Sequence, residues 1–323
     1  MIILIEEKKM INEIILNQGI QLIDVHSTDD LNDADRATLI EKYALTNEIL
    51  DYADDENERA RFEYDELNDT YLIVYNVQNE NNQTPDMSQR VLPVSFAIKG
   101  QQLFLFTNDA THYLKDYLLS AKNHLKIEAQ KEIWEFIFNT LDQISSDYSD
   151  QISEADVQRN HIQALIKKHH SSENQILELA DLEDLTTYLN TAINGNLTVI
   201  KQLDLISSGN VQDLHLSKTA REHLHDSLIE IEQIKNQVDL TSDIIDRISN
   251  TYNNILNNRT NTTMKVLTIY TIVLSIPTIV SGFYGMNMKL PVADQGWSWV
   301  FSLIITVVII LIILWDLHRR DSL

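Results

Sequence analysis

The chain has no cysteine, only four prolines and seven glycines in 323 residues, and about half as many basic as acidic side chains, 25 against 48. Without cysteine there are no disulfides, no thiolate nucleophile and no cysteine-ligated zinc. The shortage of Lys and Arg leaves a formal charge of −23, carried almost entirely before residue 264. Such a surface keeps a protein soluble and is poorly suited to nucleic-acid phosphates; cations are its natural partners. No phosphate loop, nucleophile elbow or metalloprotease motif occurs, so an enzyme is not expected. The start, Met1-Ile2-Ile3-Leu4-Ile5-Glu6-Glu7, is too short an apolar run to read as a secretory signal, which places the N-terminal domain in the cytoplasm.

Charge is missing altogether from two stretches near the C-terminus, between Lys265 and Lys289 and between Asp294 and Asp316. Each is long enough to cross a bilayer as a helix, which takes roughly 20 apolar residues. Two spans put both ends on one side. Lys265 with His318, Arg319 and Arg320 makes that side the more basic one, so both termini are expected in the cytoplasm. Trp297, Trp299 and Trp315 bracket the second span as interfacial anchors.

Upstream, short β-rich runs at 21–25, 71–77, 91–98 and 102–107 read as strands, and 35–45, 46–52 and 109–119 as helices, the last capped by Asn108 or Asp109. Residues 1–125 are therefore an α/β domain. From 126 to 263 only helical periodicity remains. One apolar stripe begins at Ile133, Phe136, Ile137, Thr140, Leu141 and Ile144. A second runs from Ile176 to Leu203, ended by the turn Ser207-Ser208-Gly209-Asn210. A third, Leu224, Leu228, Ile231, Val238, Ile245, Ile248, Tyr252 and Ile255, meets no Gly or Pro before Pro277. One stalk helix is expected to continue from water into lipid, starting near Val211. The fold class is thus an N-terminal α/β domain, long stalk helices and two C-terminal transmembrane helices, mainly α overall. The spans cover 264–286 and 299–316, with an outer loop at 287–298 and a tail at 317–323.

The two spans differ in kind. Val300 to Leu314 is almost wholly Ile, Val and Leu, as suits a lipid-facing helix. In the first span Thr271, Ser275, Thr278 and Gly282 fall on one face. That face extends back through Leu267, Met264, Asn261, Asn257, Asn254 and Asn250. Small and hydroxyl residues also serve as packing glue between membrane helices. A polar stripe that begins outside the membrane and continues into it reads instead as the lining of an aqueous path, with Met264 and Leu267 as an apolar constriction.

This helix ends in Tyr284-Gly285-Met286-Asn287. A Gly-Met-Asn tripeptide closing the penultimate span, after a long acidic helical region, resembles the CorA family of divalent-cation channels. The resemblance implies a homopentamer in the cell membrane whose five first spans surround a pore. Gly285, Met286 and Asn287 would form the selectivity filter, and Asn261, Met264, Leu267, Thr271, Ser275, Thr278 and Gly282 the lining. It implies Mg2+ as both cargo and regulator, with cobalt and nickel as further cargo, and carboxylates between subunits that bind Mg2+ and hold the pore closed. Magnesium gives up its waters reluctantly, so neutral amides that grip the hydrated ion suit it. Partners are then other copies of the chain, membrane lipid and divalent cations, with no nucleic acid. The loop Met288-Lys289-Leu290-Pro291 departs from the family's usual acidic loop, and His318-Arg319-Arg320 is a reduced form of its basic C-terminal cluster. A zinc transporter of the same superfamily and a non-conducting coiled-coil scaffold are the alternatives. His169-His170 and His223-x-His225 are read as solvent-exposed, because residues one or two apart on a helix do not share a face.

Overall fold

The structure, a computed structural model, describes residues 10–17, 19–27, 31–80, 87–126, 129–167, 173–207, 214, 216–286, 291–292 and 295–319. Six strands form one mixed sheet: β1 (Ile11–Asn17), β2 (Ile20–His26), β3 (Arg61–Asp65), β4 (Thr70–Gln78), β5 (Val91–Lys99) and β6 (Gln102–Thr107), in the order β1-β2-β6-β5-β4-β3. Only β2 and β6 pair in parallel, in register from Gln21↔Gln102 to His26↔Thr107. The expected strands are all present. The edge strands β1 and β3 are additional. In β3, Arg-Phe-Glu-Tyr-Asp alternates charge with aromatics, and all five residues are only half-buried, a composition that guards a sheet edge against further pairing.

Two short helices, α1 (Asp33–Tyr43) and α2 (Asn47–Asp54), cover one face of the sheet. Asn32 and Thr46 cap them, each side chain accepting from the backbone N–H three residues on. Leu39, Tyr43, Ile49 and Leu50 from these helices close a core with Ile23, Val25, Leu72, Val74, Phe104 and Phe106 from the sheet. Helix α3 (Leu114–His124) begins later than its expected cap at Asn108 or Asp109. The Asn108 side chain closes a turn instead, accepting from Ala110 N and Thr111 Oγ1.

Two 35-residue helices, α4 (Ile133–Lys167) and α5 (Glu173–Ser207), pack on the other face against β4. The Ile133–Ile144 stripe of α4 is buried as expected. Helix α5 is tied to the sheet chiefly through Asn196. Asn196, fully buried, accepts from Asn76 N at 2.8 Å and donates to Asn76 O at 2.8 Å, in the manner of a neighbouring strand. It does so where β4 has outrun β3, whose pairing stops at Val74. Tyr148 on α4 donates to the same carbonyl at 3.0 Å. Gly195 makes the approach possible, since a Cβ there would lie 2.9 Å from Asn76 Nδ2 and 3.0 Å from Ala60 Cβ.

Helix α6 spans Lys218–Tyr284, starting seven residues after Val211. The Leu224, Ile231, Val238 and Ile245 stripe is buried. The turn at 208–210 lies outside the described residues. By contacts the chain divides into two units, Met1–Arg247 and Ile248–Leu323, and the second holds the rest of α6 and α7 (Ser298–Arg319).

Candidate ion path and its supporting helices

Within the first unit, α6 runs parallel to α4 and antiparallel to α5, and polar contacts fix both registers. On α4, Asp142 meets His223 and Ser227, and Asp156 meets Thr241. On α5, Asn190 donates to Asp239 and Lys201 pairs with Glu232. His223 is the centre of this arrangement and not the exposed residue expected from sequence. Its Nδ1 lies 2.8 Å from Glu135 Oε2 and its Nε2 lies 2.6 Å from Asp142 Oδ2. With a carboxylate at each ring nitrogen, the imidazole must be doubly protonated to donate both bonds. Burial pushes its pKa down, but the hydrogen bonds it donates to Asp142 and Glu135 outweigh this and hold it at about 9. Glu135 is itself buried, and its Oε1 has no partner among the described residues. Three titratable groups thus weld α4 to α6. Nearby, burial and the Asp142 charge raise the Glu230 carboxyl. No group of three or more His, Asp or Glu residues is arranged to hold a metal ion among the described residues of a single chain.

In the second unit, α6 and α7 each contain a stretch long and apolar enough to cross a membrane. The side of α6 turned toward α7 is marked by its buried residues, Ile276 and Val280. At 3.6 residues per turn, Asn261, Met264, Leu267, Thr271, Ser275, Thr278 and Gly282 centre roughly 140° away. All seven are exposed among the described residues. The packing contact within one chain therefore uses the apolar side and leaves the polar side open.

The hydroxyls on that face are already oriented. Thr271 Oγ1 donates to Leu267 O at 2.8 Å, Ser275 Oγ to Ile272 O at 2.9 Å, and Thr278 Oγ1 to Leu274 O at 3.3 Å. Each hydrogen is spent on the helix's own backbone, so each oxygen presents lone pairs outward. A row of acceptors with no formal charge suits the waters of a hydrated cation. Met264 and Leu267, 57% and 58% exposed, are the bulky apolar members of the row. Pro277 sits inside the span and cannot donate to the Val273 carbonyl, yet α6 continues to Tyr284.

At the end of α6, Gly285 N–H bonds Ser281 O at 2.9 Å and Met286 N–H bonds Phe283 O at 3.2 Å. The need for glycine here is proximity: a Cβ on Gly285 would stand 3.2 Å from Ser281 O, and its φ is not in the left-handed region. Asn287 lies outside the described residues. Beyond the loop, Trp297 donates to Gln295 Oε1 at 2.6 Å and packs edge-on against Phe301, and at the far end Arg319 lies over the Trp315 ring.

Two apolar stretches long enough to cross a membrane, one closing the long helix α6 and one forming α7, with an open polar face on the first, fit an ion-transporting membrane protein. The chain matches the family described as "CorA-like Mg2+ transporter protein" over residues 17–319, and it belongs to that family. No curated protein matches it. Among solved structures it is similar to the complete CorA magnesium transporter of Methanocaldococcus jannaschii, with 21% identity and a TM-score of 0.74 over 93% of this chain and 90% of that one. It is also similar to the full-length CmaX protein, with 18% identity and a TM-score of 0.69 over 93% and 88%. The cytoplasmic domain of ZntB from Vibrio parahaemolyticus matches with 11% identity and a TM-score of 0.58 over 74% and 88%.

Proposed function

We propose that the chain is one subunit of a homopentameric channel that passes hydrated Mg2+, with Co2+ and Ni2+ as secondary cargo, across the cell membrane. The observation that carries this reading is the open face of α6, seven residues from Asn261 to Gly282 that α7 leaves uncovered. Five such faces turned inward enclose a path of amides and hydroxyl oxygens, narrowed by rings of Met264 and Leu267, where a dry constriction stops ions without a plug. Gly285, Met286 and Asn287 are the proposed selectivity filter, in which neutral Asn287 amides grip the ion through its waters so that it also leaves. The scaffold alternative gives the open face no role.

Regulation follows from charge. Five subunits at −23 each repel one another unless cations lie between them. Cytoplasmic Mg2+ bound between carboxylates of neighbouring subunits favours the closed pentamer, and its loss opens the pore, because bound ions shift an equilibrium only by preferring one state.

The test is flux of Mg2+, Co2+, Ni2+ and Zn2+ into vesicles holding the purified protein, with the Asn287→Ala variant alongside. Mg2+ uptake that disappears in an assembled Asn287→Ala oligomer is the expected result. Near-normal uptake in that variant overturns the filter assignment. Zn2+ flux that exceeds Mg2+ flux favours the zinc-transporter alternative.

A further inference from the structure

A second feature of the C-terminal unit faces away from the ion path. Between α6 and the end of α7 lies a cavity of about 660 Å³, within the range of roughly 300–1,000 Å³ usual for small-molecule sites. Asn258, Thr262, Lys265 and Ile269 line it from α6 and Leu317 from α7. On the helix these α6 positions centre on the same side as Ile276 and Val280, opposite the polar face. Asn261 and Met264 form its flank.

The chemistry of the cavity is graded along its length. Lys265 is the last charged residue before 23 uncharged ones, so the cavity straddles the boundary between the polar and apolar parts of α6. Above that boundary its walls are apolar, from Ile269 and Leu317; below it they are amides and an ammonium. The Thr262 and Thr268 hydroxyls donate to Asn258 O and Met264 O, so neither hydrogen is available to a ligand. The donors that remain on the side away from the ion path are the Asn258 amide and the Lys265 ammonium. Donors on the polar side and an apolar wall on the other match a molecule with an anionic head and a hydrocarbon tail.

We infer that this cavity binds the phosphate headgroup of an anionic glycerophospholipid in the leaflet on the α6 N-terminal side of the spans, with Lys265 as its charged contact. A basic pocket between membrane helices at the headgroup level is a suitable receptor for such lipids. Lys265 already has a partner in the structure, and a headgroup shares it rather than finding it idle. Asp316, next to Leu317, disfavours an anion, while Arg319 one turn on offsets it. The lipid holds α6 to α7 on the side away from the pore, and this role does not depend on which ion the pore carries.

The experiment reads lipid retained by the purified full-length protein in nanodiscs of phosphatidylglycerol and phosphatidylcholine, by native mass spectrometry after graded delipidation. Phosphatidylglycerol is expected to be retained over phosphatidylcholine. Lys265→Gln should lower retention about fivefold, the equivalent of one basic residue at a membrane surface. Asn258→Leu should lower it less, and Lys265→Arg should restore it, which separates loss of charge from loss of fold. Equal retention by wild type and Lys265→Gln overturns the proposal, as does equal retention of the two lipids. Displacement of phosphatidylglycerol by millimolar inorganic phosphate also overturns it, because the site then recognises free phosphate and not a lipid.

Discussion

The two units of this chain treat polar side chains in opposite ways. In the first, Asn196, Thr241 and His223 are drawn inside, and each finds partners on a different element. In the second, Thr271, Ser275 and Thr278 satisfy themselves on their own helix and face outward. A buried polar group with long-range partners specifies one packing and costs much to disturb. A polar group that bonds only within its own turn specifies nothing about packing and is available to something outside the chain. The same residue types thus act as fasteners in one unit and as a surface in the other.

The largest expected effect of breaking this contrast is at His223. His223→Leu leaves Glu135 buried beside Asp142 with no cation between them, a change of the kind that costs about 3–5 kcal/mol. Chemical denaturation of the full chain, followed in the first unit, should show it. A cost below about 1 kcal/mol would mean that the two carboxylates relax into water or share a proton without penalty.

Raising pH attacks the same clamp without mutation. The folded pKa of about 9 lies above the ordinary histidine value near 6.5, so the clamp's contribution is complete below about pH 6.5 and is lost as pH rises through about 9. Facing His223 are Glu135 and Asp142 on α4, with Glu230 further along its own helix. Melting temperature should therefore fall between pH 7 and 9.5 in wild type and stay flatter in His223→Leu. Parallel falls in both would place the alkaline weakness elsewhere.

Asn196→Ala comes next, leaving Asn76 N–H and C=O without their side-chain partner where no strand replaces it; about 2 kcal/mol is expected. Gly195→Ala should also destabilise, although alanine is the better helix former by about 1 kcal/mol, because the new methyl meets Asn76 and Ala60. Stabilisation by Gly195→Ala would show that α5 can move off the sheet.

What the sequence discloses follows the same division. Features set by local pattern were readable: the strands from 71 to 107, the apolar stripes of α4 and α6, the two uncharged stretches and the polar face of the first. Features set by partners far away in the chain were not. Edge strands β1 and β3 are harder to read: β3 is only five residues of charge alternating with aromatics, and most of β1 is half-buried or exposed. His223 reads as exposed because its own helix gives no sign of Glu135 and Asp142, 88 and 81 residues earlier. Asn196 likewise carries no local mark of a residue that stands in for a strand. The candidate filter, Gly285, Met286 and Asn287, stands on the sequence motif alone, and Asn287 lies outside the described residues.

The smallest stability effect is expected where the functional effect is large. Leu267→Ser exchanges an exposed leucine on the open face of α6 for a residue able to donate back to Thr263 O, as Thr271 does to Leu267 O. Leu267 is exposed among the described residues, so thermal stability should change by no more than about 0.5 kcal/mol, the usual limit for surface positions. Conduction is another matter: in the pentamer proposed above, a ring of five leucines is dry and a ring of five serines is wet. The variant should leak Mg2+ even when Mg2+ is high on the side of the first unit, the condition proposed above to close wild type. Met264→Ser should act in the same direction, one turn closer to the first unit. A variant that melts and gates like wild type would put the constriction elsewhere on the face. One that loses several kcal/mol would show that Leu267 is covered in the assembled protein, and the contrast between the two units would then end above Leu267.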